Sequence, residues 1–173
     1  MEIRIDSRDP QHVPGEILAR GMNVMLGYYK NEEATAQTLK DGWYHTGDLG
    51  VMDAEKNVFI KGRSKNMLLG TNGQNIYPEE IEDKLASLPF VTECVVIQKD
   101  ERLYGLVYTD PDELKKAHVS PSELVQKMEE NKQTLNQIVP SYARLFAIKQ
   151  MPEEFEKTPK KSIKRYLYTN YPV

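Results

Sequence analysis

Three stretches of the sequence carry residue types that chemistry could use. The first is Asp41-Gly42-Trp43-Tyr44-His45-Thr46-Gly47-Asp48-Leu49-Gly50. Gly47 lets the backbone turn tightly and lets a ligand come close. Asp48 then presents an acceptor-only carboxylate at the mouth of an apolar strand. Such a group can accept hydrogen bonds from both vicinal hydroxyls of a ribose. The plainer alternative is a hairpin turn in which Asp48 bonds its own backbone. The second stretch is Gly62-Arg63-Ser64-Lys65-Asn66. The planar fork of Arg63 suits ribose hydroxyls or a phosphate; a solvated basic turn is the alternative. The third is Lys157-Thr158-Pro159-Lys160-Lys161-Ser162-Ile163-Lys164-Arg165. A run of this kind contacts phosphate in many proteins, and it equally suits a solvated carboxy-terminal tail.

Other chemistries lack their signatures. There is no G-x-S-x-G elbow and no G-x-x-x-x-G-K-[ST] loop, and His12, His45 and His118 have no partners at ligand spacing, so no metal site is expected. The single Cys94 excludes an internal disulfide framework and a multi-cysteine metal site.

The elements that must position these residues change character along the chain. Residues 1–5 alternate apolar and charged side chains, as a half-buried strand does. Residues 16–19 form a second short strand, Asn31 caps a brief helix, and Asp41-Gly42 is a turn. Residues 49–52 and 57–61 form a hairpin. After Lys61 the pattern becomes mixed. Residues 67–69 are a short strand, and Gly70-Thr71-Asn72-Gly73 is a loop. Pro78 opens a helix whose buried face is Ile81, Leu85 and Leu88, and Pro89 closes it. Strands over 92–98 and 103–109 follow, joined by a charged turn. Ser120-Pro121-Ser122-Glu123 is a strong helix start, with an apolar stripe of Leu124, Met128, Leu135 and Ile138. A strand over 144–149 and a short helix over 161–168 complete the reading. The fold class is α+β: a small antiparallel β subdomain, then a compact α+β domain with a short sheet flanked by helices, the boundary falling near residues 62–65.

With 173 residues, the chain suits one domain or two small ones. Lys and Arg total 23 against 26 Asp and Glu, a net charge of -3, which argues against a nucleic-acid binder. No apolar run approaches the ~20 residues needed to span a membrane. Met1 leads into charged residues rather than a signal peptide. The expectation is a cytoplasmic protein without a transmembrane segment; peripheral attachment to a membrane is left open.

In this order, the motifs resemble the adenylate-forming ligases, specifically the acyl-CoA synthetases. Gly15-Glu16-Ile17-Leu18 and Met25-Leu26-Gly27-Tyr28-Tyr29-Lys30-Asn31 resemble the approach to the family's ribose-binding motif, and Trp43-Tyr44-His45-Thr46-Gly47-Asp48 resembles that motif. Gly62-Arg63-Ser64-Lys65-Asn66, then Gly73-Gln74-Asn75-Ile76-Tyr77-Pro78-Glu79-Glu80-Ile81-Glu82, resembles the hinge and the loop and helix after it. Residues 72–78 and 163–168 look most like bacterial long-chain fatty-acid–CoA ligases. The resemblance implies a two-step reaction. A fatty acid and ATP with Mg give an acyl-adenylate and pyrophosphate; CoA then takes the acyl group and AMP leaves. It implies nucleotide-binding roles for Asp48 and Arg63, a hinge at Lys65, and a place for Gly73 in the CoA channel. On this reading residues 1–62 end a large N-terminal domain, and residues 63–173 are the mobile C-terminal domain. Its partners are the missing N-terminal domain, fatty acid, ATP and CoA, and the isolated fragment is inactive. A ligase that loads a carrier protein and a stand-alone non-catalytic interaction domain are the alternatives.

One departure from the family stands out. Its closing motif reads approximately Thr-x-Ser-Gly-Lys-Ile-x-Arg, with the Lys serving adenylation. Thr158, Ile163 and Arg165 set this sequence on that pattern and put Ser162 at the lysine position. A hydroxyl cannot supply the positive charge that the reacting phosphate needs. Either Lys161, next door, takes over, which is the expected replacement, or the protein departs from the family in its first half-reaction.

Overall fold

The computed structural model describes residues 1–173, whose backbone forms two compact units, Met1–Met67 and Leu68–Val173. The first unit is mainly antiparallel sheet. Its strands are β1 (Glu2–Asp6), β2 (Gly15–Arg20), β3 (Leu39–Lys40), β4 (Trp43–Met52) and β5 (Val58–Arg63). They lie in the order β1-β2-β4-β3, and β5 pairs with the second half of β4. Helix α1 (Glu32–Thr38) begins where the Asn31 side chain accepts the Ala34 N–H at 3.0 Å, with Glu32 and Glu33 in its first turn. Asp41 and Gly42 both have positive φ (51° and 77°), as a two-residue hairpin turn between β3 and β4 requires.

The second unit is α+β. A small hairpin joins β6 (Leu68–Leu69) to β7 (Asn75–Ile76). Helix α2 (Pro78–Ala86) leads to β8 (Glu93–Lys99) and β9 (Arg102–Tyr108). Helices α3 (Pro111–Ala117) and α4 (Pro121–Ile138) then carry the chain across to β10 (Leu145–Gln150). The sheet order is β10-β9-β8, with β10 parallel to β9; a parallel neighbour needs such a long crossover.

Alternation along β8 explains how this unit is built. Cys94 and Val96 join Ile81, Leu85, Met128 and Leu135 in one core beneath the helices. Val95 and Ile97 point the other way, into a second cluster with Leu106, Phe155, Ile163 and Tyr168. The carboxy-terminal segment therefore covers a sheet face, and the reading of it as a solvated tail fails. No helix is long and apolar enough to cross a membrane.

Three sequence expectations are corrected. The short helix expected over residues 161–168 is only a 3-10 turn, Arg165–Leu167. Residues 157–163 form a tight hairpin instead, closed by Pro159 and by the positive φ of Lys161. Ile138 does not extend the stripe of α4, for it is 54% exposed. The helix ends there, and the extended backbone of Val139 swings that side chain into the core instead. Buried Asn131 completes the stripe and donates to the Pro89 carbonyl at 2.8 Å. Helix α3 was not anticipated, although Asp110-Pro111 is a cap followed by a proline, and Asp110 accepts the Asp112 N–H at 2.8 Å.

Candidate functional site

The site in the first unit begins with a break in strand register. Glu16 on β2 faces Leu49 on β4, but Leu18 faces His45. Ile17 thus lies opposite Thr46, Gly47 and Asp48 together, a bulge on β4. Bulges bend a strand and re-aim its side chains. Gly47 supplies the required left-handed turn with φ +72°, and a Cβ built there would meet only Arg63 Nη1, at 3.9 Å. Glycine is needed here for its conformation and not for space.

Side chains hold the bulge in place. Glu16 Oε1 accepts the Gly47 N–H at 2.9 Å, and Glu16 Oε2 lies 2.8 Å from His45 Nδ1. The Thr46 hydroxyl donates to the Ile17 carbonyl at 2.7 Å and accepts the Asp48 N–H at 3.0 Å. Asp48 is the register partner of Arg63 on β5, and Arg63 Nε donates to its Oδ1 at 2.8 Å. This corrects the hairpin-turn alternative: Asp48 lies within β4, and its carboxylate meets a cation across the strands. Arg63 is likewise the last residue of β5 and not part of a turn. A carboxylate has about four lone-pair sites, so pairing with Arg63 leaves Asp48 able to accept ribose hydroxyls. At 30% exposure its side chain is open to a ligand.

Lys65 lies on the exposed 3-10 turn Ser64–Asn66, which ends the first unit. Gly73 lies in the second unit, in the turn between β6 and β7, with φ +76°. The Gly73 N–H donates to the Gly70 carbonyl at 2.9 Å, and no atom lies within 4 Å of a Cβ built on Gly73. The loop borders a cleft of about 450 Å³, lined by Asn72, Gln74, Arg102, Tyr142 and Arg144 among others.

The basic run folds as a hairpin pinned at its base. Lys157 and Ile163 pair, the Thr158 N–H donates to the Ser162 carbonyl at 2.8 Å, and the Lys161 N–H donates to the Thr158 carbonyl at 2.8 Å. Lys161 has φ +62°, a conformation that glycine favours. Lys157 pairs with Glu93 and with Glu154, and hydrogen bonding to Glu93 raises its pKa. Lys164 pairs with Glu156 at 3.0 Å, and that hydrogen bond raises its pKa. Lys160 and Lys161 stand exposed at the tip. Sequence reasoning missed the supporting residues Glu16, Thr46 and Glu82. Their partners are backbone groups or distant side chains, and no local spacing announces them.

The chain thus combines a bulged antiparallel sheet carrying a paired Asp and Arg with an α+β unit carrying a glycine turn and a lysine-tipped hairpin. Residues 65–171 match the family described as AMP-binding enzyme C-terminal domain, and the chain belongs to it. It is 44% identical over 98 residues to the 2-succinylbenzoate–CoA ligase of Bacillus cytotoxicus, covering 57% of this chain and 20% of that protein. It is 44% identical over 93 residues to the indoleacetate–CoA ligase of Aromatoleum aromaticum, covering 54% of this chain and 18% of that protein. The fold matches o-succinylbenzoate–CoA synthetase of Bacillus subtilis in complex with its acyl-adenylate intermediate. There the TM-score is 0.75 and the identity 25%, covering 99% of this chain and 34% of the other. The chain spans about a fifth of the length of these curated relatives. Both are named for acids that carry an aromatic ring, so their names do not support the narrower likeness to long-chain fatty-acid ligases.

Proposed function

We propose that this chain is the carboxy-terminal part of an ATP-dependent acid–CoA ligase. The observation that carries the reading is the Asp48/Arg63 pair, set by the Gly47 bulge and held by Glu16. In the first step, a carboxylate oxygen of the acid attacks the α-phosphorus of ATP, supplied with Mg, and pyrophosphate leaves. Asp48 and Arg63 hold the ribose and so fix the α-phosphate relative to the acid. Lys161, next to the family's lysine position at Ser162, supplies the cation that steadies the charge growing on the phosphate. In the second step the CoA sulfur attacks the acyl carbon and AMP leaves. Lys65 serves as the hinge between the two steps. Gly73, with open space where a side chain would stand, leaves room for the pantetheine arm.

The acid is the finer question. The motif resemblance of residues 72–78 and 163–168 favours a fatty acid, while the names of the relatives, 44% identical over more than half of the chain, point to aryl acids. We hold to a fatty acid as the specific form of the proposal. The test uses the complete ligase that carries this chain. Pyrophosphate exchange is measured with palmitate, octanoate, indoleacetate and 2-succinylbenzoate, followed by CoA consumption. Exchange with palmitate alone supports the fatty-acid form. Exchange only with an aryl acid overturns that form and keeps the ligase. No acid-dependent exchange in the panel refutes the acid–CoA ligase reading, and exchange without CoA consumption favours a carrier-protein acceptor.

A further inference from the structure

Five cations crowd the end of the chain, and the fold treats them differently. Lys157 and Lys164 are spent on carboxylates, while Lys160 and Lys161 stand exposed. Arg165 makes the most elaborate contact. Its Nη1 donates to Glu82 Oε1 at 2.7 Å and its Nη2 to Glu82 Oε2 at 2.5 Å. Nη1 also donates to the Val96 carbonyl at 3.0 Å, and the Val96 N–H donates to Glu82 Oε1 at 2.5 Å. The Glu82 and Arg165 side chains are only 14% and 22% exposed.

This one contact joins helix α2, the middle of β8 and the segment that leaves the hairpin. The other end of the hairpin is held by Lys157 on Glu93, three residues earlier on the same strand. Three residues of strand span roughly 10 Å. The lysine tip is thus slung between two anchors along β8, the Glu93 carboxylate and the Val96 backbone, the second reinforced by Glu82 from α2. Burying a charged pair adds little stability compared with apolar residues of the same volume. A two-pronged guanidinium–carboxylate contact does fix direction. Fixed direction is what a hairpin tip needs if it is to present a cation at a set place.

We propose that Glu82 is a positioning residue for the Lys160/Lys161 tip, acting through Arg165 without touching any ligand. The inference deepens the proposed function, for it rests on Lys161 supplying the adenylation cation. The first experiment does not depend on that reading. The 173-residue chain is treated with trypsin under native conditions, and cleavage after Lys160 and Lys161 is compared with cleavage after exposed Lys56 in the other unit. The double variant Glu82→Met/Arg165→Met replaces the pair with apolar side chains. Its cleavage ratio at the tip is expected to rise at least about tenfold, since proteolysis follows the population of the open segment. An unchanged ratio overturns the inference. If the double variant does not fold, Glu82→Gln takes its place; it is expected to raise the ratio, and an unchanged ratio there overturns the inference in the same way.

The second experiment reads the consequence in the complete ligase. The double variant is expected to lower kcat for pyrophosphate exchange at least about tenfold, with KM for ATP within about twofold because Asp48 and Arg63 are untouched. Arg165→Lys keeps the charge without the fork and is expected to hold stability near that of the unsubstituted chain while lowering kcat. Equal changes in kcat and KM, or an unchanged kcat in Arg165→Lys, would make the pair merely structural and overturn the proposal. A loosened tip with unchanged exchange kinetics keeps the positioning role and removes Lys161 from the chemistry, so the two ideas fail separately.

Discussion

Replacing Lys161 by glycine should stabilise the protein and disable it. Lys161 holds φ +62° at the hairpin tip, a conformation that costs an L-residue about 1–2 kcal/mol. Glycine removes that cost but gives back about 0.5–1 kcal/mol through the greater freedom of the unfolded chain. The net gain is about 0.5–1 kcal/mol, which raises Tm by about 1–4 °C. The same substitution removes the cation proposed to act on the α-phosphate. Loss of one such transition-state contact costs about 10²–10³ in rate, read as pyrophosphate exchange in the complete ligase. Thiolation of supplied acyl-adenylate should be nearly unaffected. Lys161→Ala separates the two effects, because alanine loses the charge but keeps the Cβ penalty. It should match glycine in activity and not in stability. Lys160→Ala should change exchange by less than about threefold, since it leaves the Lys161 charge in place beside the phosphate. Exchange that survives Lys161→Gly would show that the cation comes from elsewhere. A Tm that does not rise would show that the tip carries no backbone cost.

Asp48→Ala should raise KM for ATP at least about tenfold, since a charged hydrogen bond is worth about 1.5–3 kcal/mol. With Arg63 61% exposed, the lost ion pair should cost no more than about 1 kcal/mol of stability; a large drop in Tm with unchanged ATP kinetics would make Asp48 structural. Lys65→Pro should slow CoA consumption more than pyrophosphate exchange, because proline fixes φ near -65° and blocks a hinge rotation; equal loss in both half-reactions would remove Lys65 from that role. Burial, aided by the nearby Glu82 carboxylate, pushes the Cys94 thiol up to about 12. At pH 8 only about 10⁻⁴ of it would be thiolate, the reactive form, so iodoacetamide should label Cys94 only on unfolding, and rapid labelling of the folded chain would contradict the burial.

The parts of the fold that local patterns encode were legible. The Ser120 capping box and the Asn31 cap form as expected, because a cap is a contact among residues three apart, and Pro78 opens α2 because its fixed φ suits the first helical position. The failures share a cause. Residues 161–168 have helix-compatible composition, but their conformation is decided by Ile163 and Tyr168 packing on β8 and β9 and by Glu82 holding Arg165. Ile138 fits the helical period, yet the helix stops at it and Val139 takes the buried place. In each case a contact distant in sequence overrode a weak local preference.

The candidate site divides along the same line. Asp48, Arg63, Gly73 and Lys161 could be picked out because their chemistry or their motif marks them. What aims them could not. Glu16 reaches Gly47 and His45 across 31 and 29 residues, and Glu82 reaches Arg165 across 83. An isolated Glu16 looks like any exposed acid on a strand, and Glu82 like any acid on the polar face of a helix. Both are instead carboxylates spent on orientation, one on a backbone bulge and one on a guanidinium. The two lysine-position residues follow from this. With Ser162 carrying no charge and Lys161 in a left-handed conformation, the direction of the tip depends on its anchors more than on its own sequence. If Lys161 is the cation, as proposed, the chemistry of the hairpin is tied to Glu82, a residue that the basic motif does not contain.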